Sequence, residues 1–147
     1  MGRLKPIFFQ LCQNLNSMIQ RIQTLYLFAA AIFSAFAAFL LPMYVLDGIS
    51  SAATANASTF GGFGGSMALF SGAILLYGNR KMQLIIVRLG MLVNLLVLGA
   101  LIVIIQGEGA SASYGVVVPF LNVVFAFLAS RGIQQDEAKV RSLDRLR

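Results

Sequence analysis

Residues 82–106 read MQLIIVRLGMLVNLLVLGALIVIIQ. A helix needs about 20 apolar residues to cross the hydrocarbon core of a bilayer. Here one charge, Arg88, interrupts a run longer than that. Arg88 would stand about 10 Å along the helix from Lys81, within snorkelling reach of the headgroups. The stretch reads as a transmembrane helix, and the same test organises the rest of the chain.

Outward from this stretch, charge-free gaps cover residues 22–46, 48–79, 89–107 and 109–130. Each can supply one span, and the four spans fall at about 25–46, 60–79, 82–106 and 113–130. Pro42 sits near the end of the first, where a kink costs little, and Pro119 in the outer half of the fourth, where it removes one backbone hydrogen bond. The link Asn79-Arg80-Lys81 is short enough for a tight antiparallel helical hairpin. Residues 47–59, rich in Ser, Ala, Thr and Asn, read as a flexible exposed loop. The expected fold class is all-α: an integral membrane bundle of four transmembrane helices with a short amphipathic C-terminal tail. The chain divides into an N-terminal extension over 1–17, a transmembrane domain over 18–131 and a tail over 132–147.

Composition agrees. Of the 147 residues 59% are hydrophobic and 11% charged, against about 25% charged in a soluble domain. So little charge cannot keep a globule of this size in water. The formal charge of +6 would suggest nucleic acid in a soluble protein, but topology accounts for it. With four spans, all 11 basic residues fall on one side together with 3 acidic ones, a net +8, and the other side holds only Asp47 and Glu108. The positive-inside rule then places both termini in the cytoplasm, N-in and C-in, in a bacterial inner membrane, with no nucleic-acid partner. Tyr26, Tyr44, Tyr77 and Tyr114 all fall near span ends, where tyrosine favours the headgroup layer. The first span is longer than a signal-peptide core and reads as an uncleaved signal-anchor, despite small-residue sites such as Ala53-Thr54-Ala55.

The residue inventory argues against an enzyme. The chain has no His and one Cys, Cys12, so a metal, haem or iron–sulfur site has almost nothing to build on and no cofactor is expected. The run Gly61-Gly62-Phe63-Gly64-Gly65 lacks the lysine of a phosphate-binding loop and reads as a loop or as close helix packing.

The ends carry a resemblance. Met18-Ile19-Gln20-Arg21-Ile22-Gln23 leads into the first span, and the chain closes Asp136-Glu137-Ala138-Lys139-Val140-Arg141-Ser142-Leu143-Asp144-Arg145-Leu146-Arg147. Over residues 18–147 this resembles an uncharacterised family of four-span inner-membrane proteins of Bacteroidetes-type bacteria, a domain of unknown function. The resemblance implies topology and lineage and carries no activity or site residues. Family members begin at the residue matching Met18, so residues 1–17 read as an upstream start-site choice, or else as an interfacial segment in which Leu4, Ile7, Phe8 and Phe9 flank basic residues.

Two constellations remain. Ser34, Ser71, Asn94 and Asn122 each lie some way in from the basic end of their span, and Ser71 and Asn122 are each about 13 Å from the nearest arginine. They could form one polar layer near mid-membrane, either a small site for a substrate or ion or, more plainly, interhelical glue. In the tail, Glu137 and Arg141 form an i,i+4 pair and Asp144 lies near Arg141 and Arg147. With Asp136 and Arg145 these residues make a candidate interaction surface. Small residues recur at four in Ala30–Ser34–Ala38, Ala31–Ala35, Gly61–Gly65 and Ala68–Gly72, faces that let another helix approach closely. The expected function is a non-enzymatic accessory or scaffold subunit of a membrane complex, with the bilayer and other membrane proteins or further copies as partners. The alternative is a small oligomeric transporter using the polar layer.

Overall fold

The computed structural model describes residues 4–76 and 78–144, with side chains over 22–76 and 78–138. It holds four helices and one small sheet: α1 (Leu4–Phe39), β1 (Pro42–Leu46), β2 (Ile49–Ala52), α2 (Ala57–Leu75), α3 (Arg80–Glu108), β3 (Ser111–Ala112) and α4 (Val117–Asp144). Helix accounts for 81% of it. Three helices contain segments long and apolar enough to cross a membrane, Ile22–Phe39, Arg80–Glu108 and Tyr114–Ala138, the signature of a membrane protein.

The sheet corrects the all-α expectation. The first span does not run helically to residue 46, because α1 ends at Phe39 and Pro42 opens a strand. The 47–59 segment is not a flexible loop. Leu46 pairs with Ile49 across the two-residue turn Asp47–Gly48, and both turn residues have positive φ, 50° and 79°. That is the backbone of a type I′ turn, which matches the twist of the strands it joins, and the Asp-Gly pair is among its preferred sequences. Glycine is needed at position 48 because an L side chain is strained at that φ. β3 adds to the other edge of β1, with Tyr44 opposite Ala112 and Val45 opposite Ser111. The strand order is therefore β2-β1-β3.

By pairing β1 with β3, the sheet brings the C-terminal ends of α1 and α3 to the same end of the bundle. Both helices run toward the sheet end and away from the level of Arg21, Arg80 and Arg131, the basic end. α1 packs against α2 and α4, and α3 packs against the same two. Ring stacks bind α1 to α4, with Phe125 between Phe33 at 5.8 Å and Tyr26 at 6.3 Å. Phe39 meets Phe60 edge-on to join α1 and α2.

The interior is layered. Next to the sheet lies an apolar cluster of Ala37, Met43, Tyr44, Phe63, Val97, Leu101 and their neighbours. Nearer the basic end lies a second, with Leu27, Phe70, Val87, Ala126 and Ile133 among its members. Tyr44 is part of the interior. Its ring is buried in the first cluster, and its hydroxyl accepts a 2.7 Å hydrogen bond from Asn56 Nδ2. Tyr114 is exposed, and Tyr77 lies outside the described residues.

The boundary expected at residue 131 is absent. α4 continues to Asp144 through Gln134-Gln135-Asp136-Glu137-Ala138-Lys139, a run of mostly good helix formers. Over the described side chains the tail is thus an extension of a packed helix.

Candidate functional site

Each helix turns one periodic face inward. On α2 the buried residues are Thr59, Phe63, Ser66, Phe70 and Ala73. On α3 they are Gln83, Val87, Gly90, Asn94, Val97 and Leu101. These steps of three and four are the spacing of a single helix face. A polar residue placed on such a face must find its partner inside, and four do.

Asn122 of α4 is the hub. Its Nδ2 donates to Ser34 Oγ on α1 at 2.9 Å and to Asn94 Oδ1 on α3 at 3.1 Å. Ser34 Oγ lies 2.8 Å from Ala30 O on its own helix, to which it gives its one hydrogen, and so acts as an acceptor toward Asn122. Ser66 Oγ of α2 stands 3.0 Å from Ser34 Oγ and 2.9 Å from Phe63 O, and its single hydrogen serves one of them at a time. Asn94 Nδ2 donates to Gly90 O at 2.8 Å. Ser34, Ser66, Asn94 and Asn122 are all fully buried, so all four helices contribute one polar group to one closed layer.

Three of the four residues expected in this layer are there. Ser71 is not, for it is only half-buried and lies off the inward face of α2. Ser66 takes its place. Depth counted from Arg80 goes astray because α2 ends at Leu75 and Arg80 already begins α3. The period of α2, read from Thr59 through Phe63 and Phe70, picks out Ser66.

One atom of the layer is left over. Asn122 Oδ1 is buried without a hydrogen-bond partner among the described residues, which costs roughly 1–3 kcal/mol. The layer is otherwise made of amides and hydroxyls and holds no ionisable side chain. In chemical terms it crosslinks helices and offers neither a nucleophile–base pair nor a charge.

A second polar contact lies one turn beyond the basic-end cluster. Gln23 of α1 donates from Nε2 to Asp136 Oδ2 of α4 at 3.0 Å, and both side chains are buried. Gln23 lies across Gly132, where a Cβ would come within 2.7 Å of Gln23 Cγ. Glycine is thus required at 132 for the close approach. Asp136 Oδ1 has no partner among the described residues.

This changes the reading of the tail. Asp136 belongs to the interior and is not part of an outward interaction surface, and Ile133 is core. Glu137 is half-buried. The side chains of Arg141 and Asp144, and all of Arg145 and Arg147, lie outside the described residues. The sequence signal for the inward turn is the series of three- and four-residue steps from Ala126 through Ala129 and Ile133 to Asp136, which continues one helix face.

Known proteins add one finding. The family described as a domain of unknown function, DUF4293, matches residues 19–146. The chain belongs to this family. The DUF4293 match starts one residue after Met18 and includes the whole polar layer and the Gln23–Asp136 contact. No curated protein and no solved structure matches the chain.

Proposed function

We propose that this DUF4293 protein is a four-span inner-membrane protein of a Bacteroidetes-type bacterium, acting as a non-enzymatic accessory or scaffold subunit. The fourth crossing is α2. It is 19 residues long, about 28 Å as a helix, close to the thickness of the hydrocarbon core. α1 and α3 run in one direction, so the helix joining them must return. The distribution of basic residues supports cytoplasmic termini.

The observation that carries the subunit reading is a bare stripe on α2. Gly61, Gly64, Gly65 and Gly72 have nothing within 4 Å of the place a Cβ would occupy, and Ala68 on the same helix is exposed. Glycine offers lipid little apolar surface, but it lets a second backbone come close. Of the small-residue repeats on α1, Ala30–Ser34–Ala38 is fully used inside the protein, and in Ala31–Ala35 the first is buried and the second half-buried. The occupants that fit the stripe are an apolar helix of another membrane protein or of a second copy.

The test is purification in mild detergent with cross-linking and mass spectrometry, comparing the native chain with Gly61→Leu/Gly65→Leu. The native chain should recover a recurrent membrane partner or itself, and the variant should lose it. Recovery of the protein alone in both cases overturns the reading.

The transporter alternative draws on one observation, the unpartnered Asn122 Oδ1. The sealed, uncharged layer around it favours glue. Replacing Asn94 and Asn122 by Leu separates the readings, since a scaffold loses only stability and a transporter loses flux.

A further inference from the structure

A groove of about 540 Å³ opens between α3 and α4 near the basic end. Its lining changes character with depth. Toward the basic end stand Arg88 of α3 and Arg131 of α4, with Ser130 and Gln134 beside them. One turn deeper on each helix the wall is apolar, with Met91 and Leu92 on one side and Phe127 on the other. Leu92 and Phe127 are more than half exposed, so the apolar wall faces outward.

Both arginines are exposed, and neither has a carboxylate partner among the described residues. Among the described side chains the acidic groups are committed elsewhere. Asp136 is buried against Gln23, Glu137 has its own partner, and Asp47 and Glu108 lie toward the sheet end. Arg88 is eight residues into α3, about 12 Å from its start, so its charge needs an anion close to the level where hydrocarbon begins.

We propose that this groove binds an anionic phospholipid of the same leaflet, with its phosphate held by Arg88 and Arg131 and an acyl chain lying on Met91, Leu92 and Phe127. This rests on the membrane reading above. Guanidinium groups suit a phosphodiester because their planar forks bind its oxygens in pairs. Basic sites between helices on the cytoplasmic side are a known way to hold acidic headgroups. The volume lies within the about 300–1,000 Å³ of ligand sites, and basic side chains toward one end of an apolar wall repeat the order of headgroup and chain. Two uncompensated positive charges disfavour a zwitterionic headgroup, whose ammonium they would repel.

The experiment is native mass spectrometry of the full chain in detergent, titrated with phosphatidylglycerol or with phosphatidylcholine of the same chains. Phosphatidylglycerol should be retained preferentially. Arg88→Gln/Arg131→Gln should weaken that retention about thirtyfold, and Arg88→Lys/Arg131→Lys should fall between. Unchanged thermal unfolding of the exposed variants shows that the fold is kept. Inorganic phosphate in excess should not displace the lipid. Equal retention of the two lipids, retention unchanged in the double Gln variant, or displacement by free phosphate overturns the site. Carbonate extraction of cell membranes separates the two proposals. Protein in the pellet without lipid preference removes the groove site alone, and protein in the soluble fraction removes the membrane reading as well.

Discussion

Asn122 Nδ2 lies 3.1 Å from Asn94 Oδ1, and the same nitrogen reaches Ser34 on a third helix. Removing this one amide therefore deprives acceptors on two helices of their donor at once. Asn122→Ala should destabilise the protein by about 1–3 kcal/mol, and Ser66→Ala by less. A double-mutant cycle between Asn94 and Asn122 should give a coupling of about 0.6 kcal/mol and no more than about 1.7. Thermal or denaturant unfolding in detergent measures both. Additive losses would mean that the two amides act separately.

Gly132 and Gln23 should behave as a pair. Gly132→Ala puts a Cβ 2.7 Å from Gln23 Cγ and should cost about 1–3 kcal/mol, the usual range for overpacking. In a Gln23→Ala background the same change should cost little or stabilise, because alanine is the better helix former by about 1 kcal/mol. Unfolding midpoints of the four proteins decide it.

The Asp47–Gly48 turn gives a third test. Gly48→Val forces a β-branched residue to φ near 79° and should destabilise by about 1–2 kcal/mol. Gly48→Asn should be tolerated far better, since asparagine enters this region readily. Equal losses for the two variants would contradict the type I′ geometry.

The bare stripe on α2 predicts effects of opposite sign. Gly64→Ala meets no neighbour, so the isolated protein should gain about 0.5–1 kcal/mol from the better helix residue. Recovery of its partner in cross-linking should fall. A variant that is both more stable and fully associated would show that the stripe faces lipid.

Orientation can be checked by cysteine labelling in a Cys12→Ser background. Ile49→Cys, at the exposed tip beside the turn, should react with a membrane-impermeant maleimide in spheroplasts. Gln134→Cys, exposed on α4, should react only after permeabilisation. The reverse pattern would invert the topology.

Charge spacing was enough to read the helices in outline, because Asp47, Arg80 and Glu108 fall at or near element ends, whereas Arg21 and Arg131 lie well inside the longer α1 and α4. It could not reveal the sheet, since Pro42–Leu46 is as apolar as the helix before it and merges with that run. The signal was local turn chemistry, Asp47-Gly48 between Leu46 and Ile49. The polar layer was legible to the extent that depth and face agree. Ser34, Asn94 and Asn122 satisfy both, and Ser71 satisfies only a depth counted through a turn. Asp136 was misplaced for a different reason. A carboxylate in a basic tail reads as solvated, and only its step from Ile133 shows that it points inward.

β1 and β3 are neighbours in the sheet, yet α2 and α3 separate them along the chain. A polypeptide threaded into a membrane from its N-terminus delivers β1 and β2 early and must carry that hairpin, with one edge unpaired, until two more helices are in place. Only then does Ser111–Ala112 arrive to close it. The sheet thus ties the end of the third helix to the end of the first, and can be completed only after the chain has passed through α3.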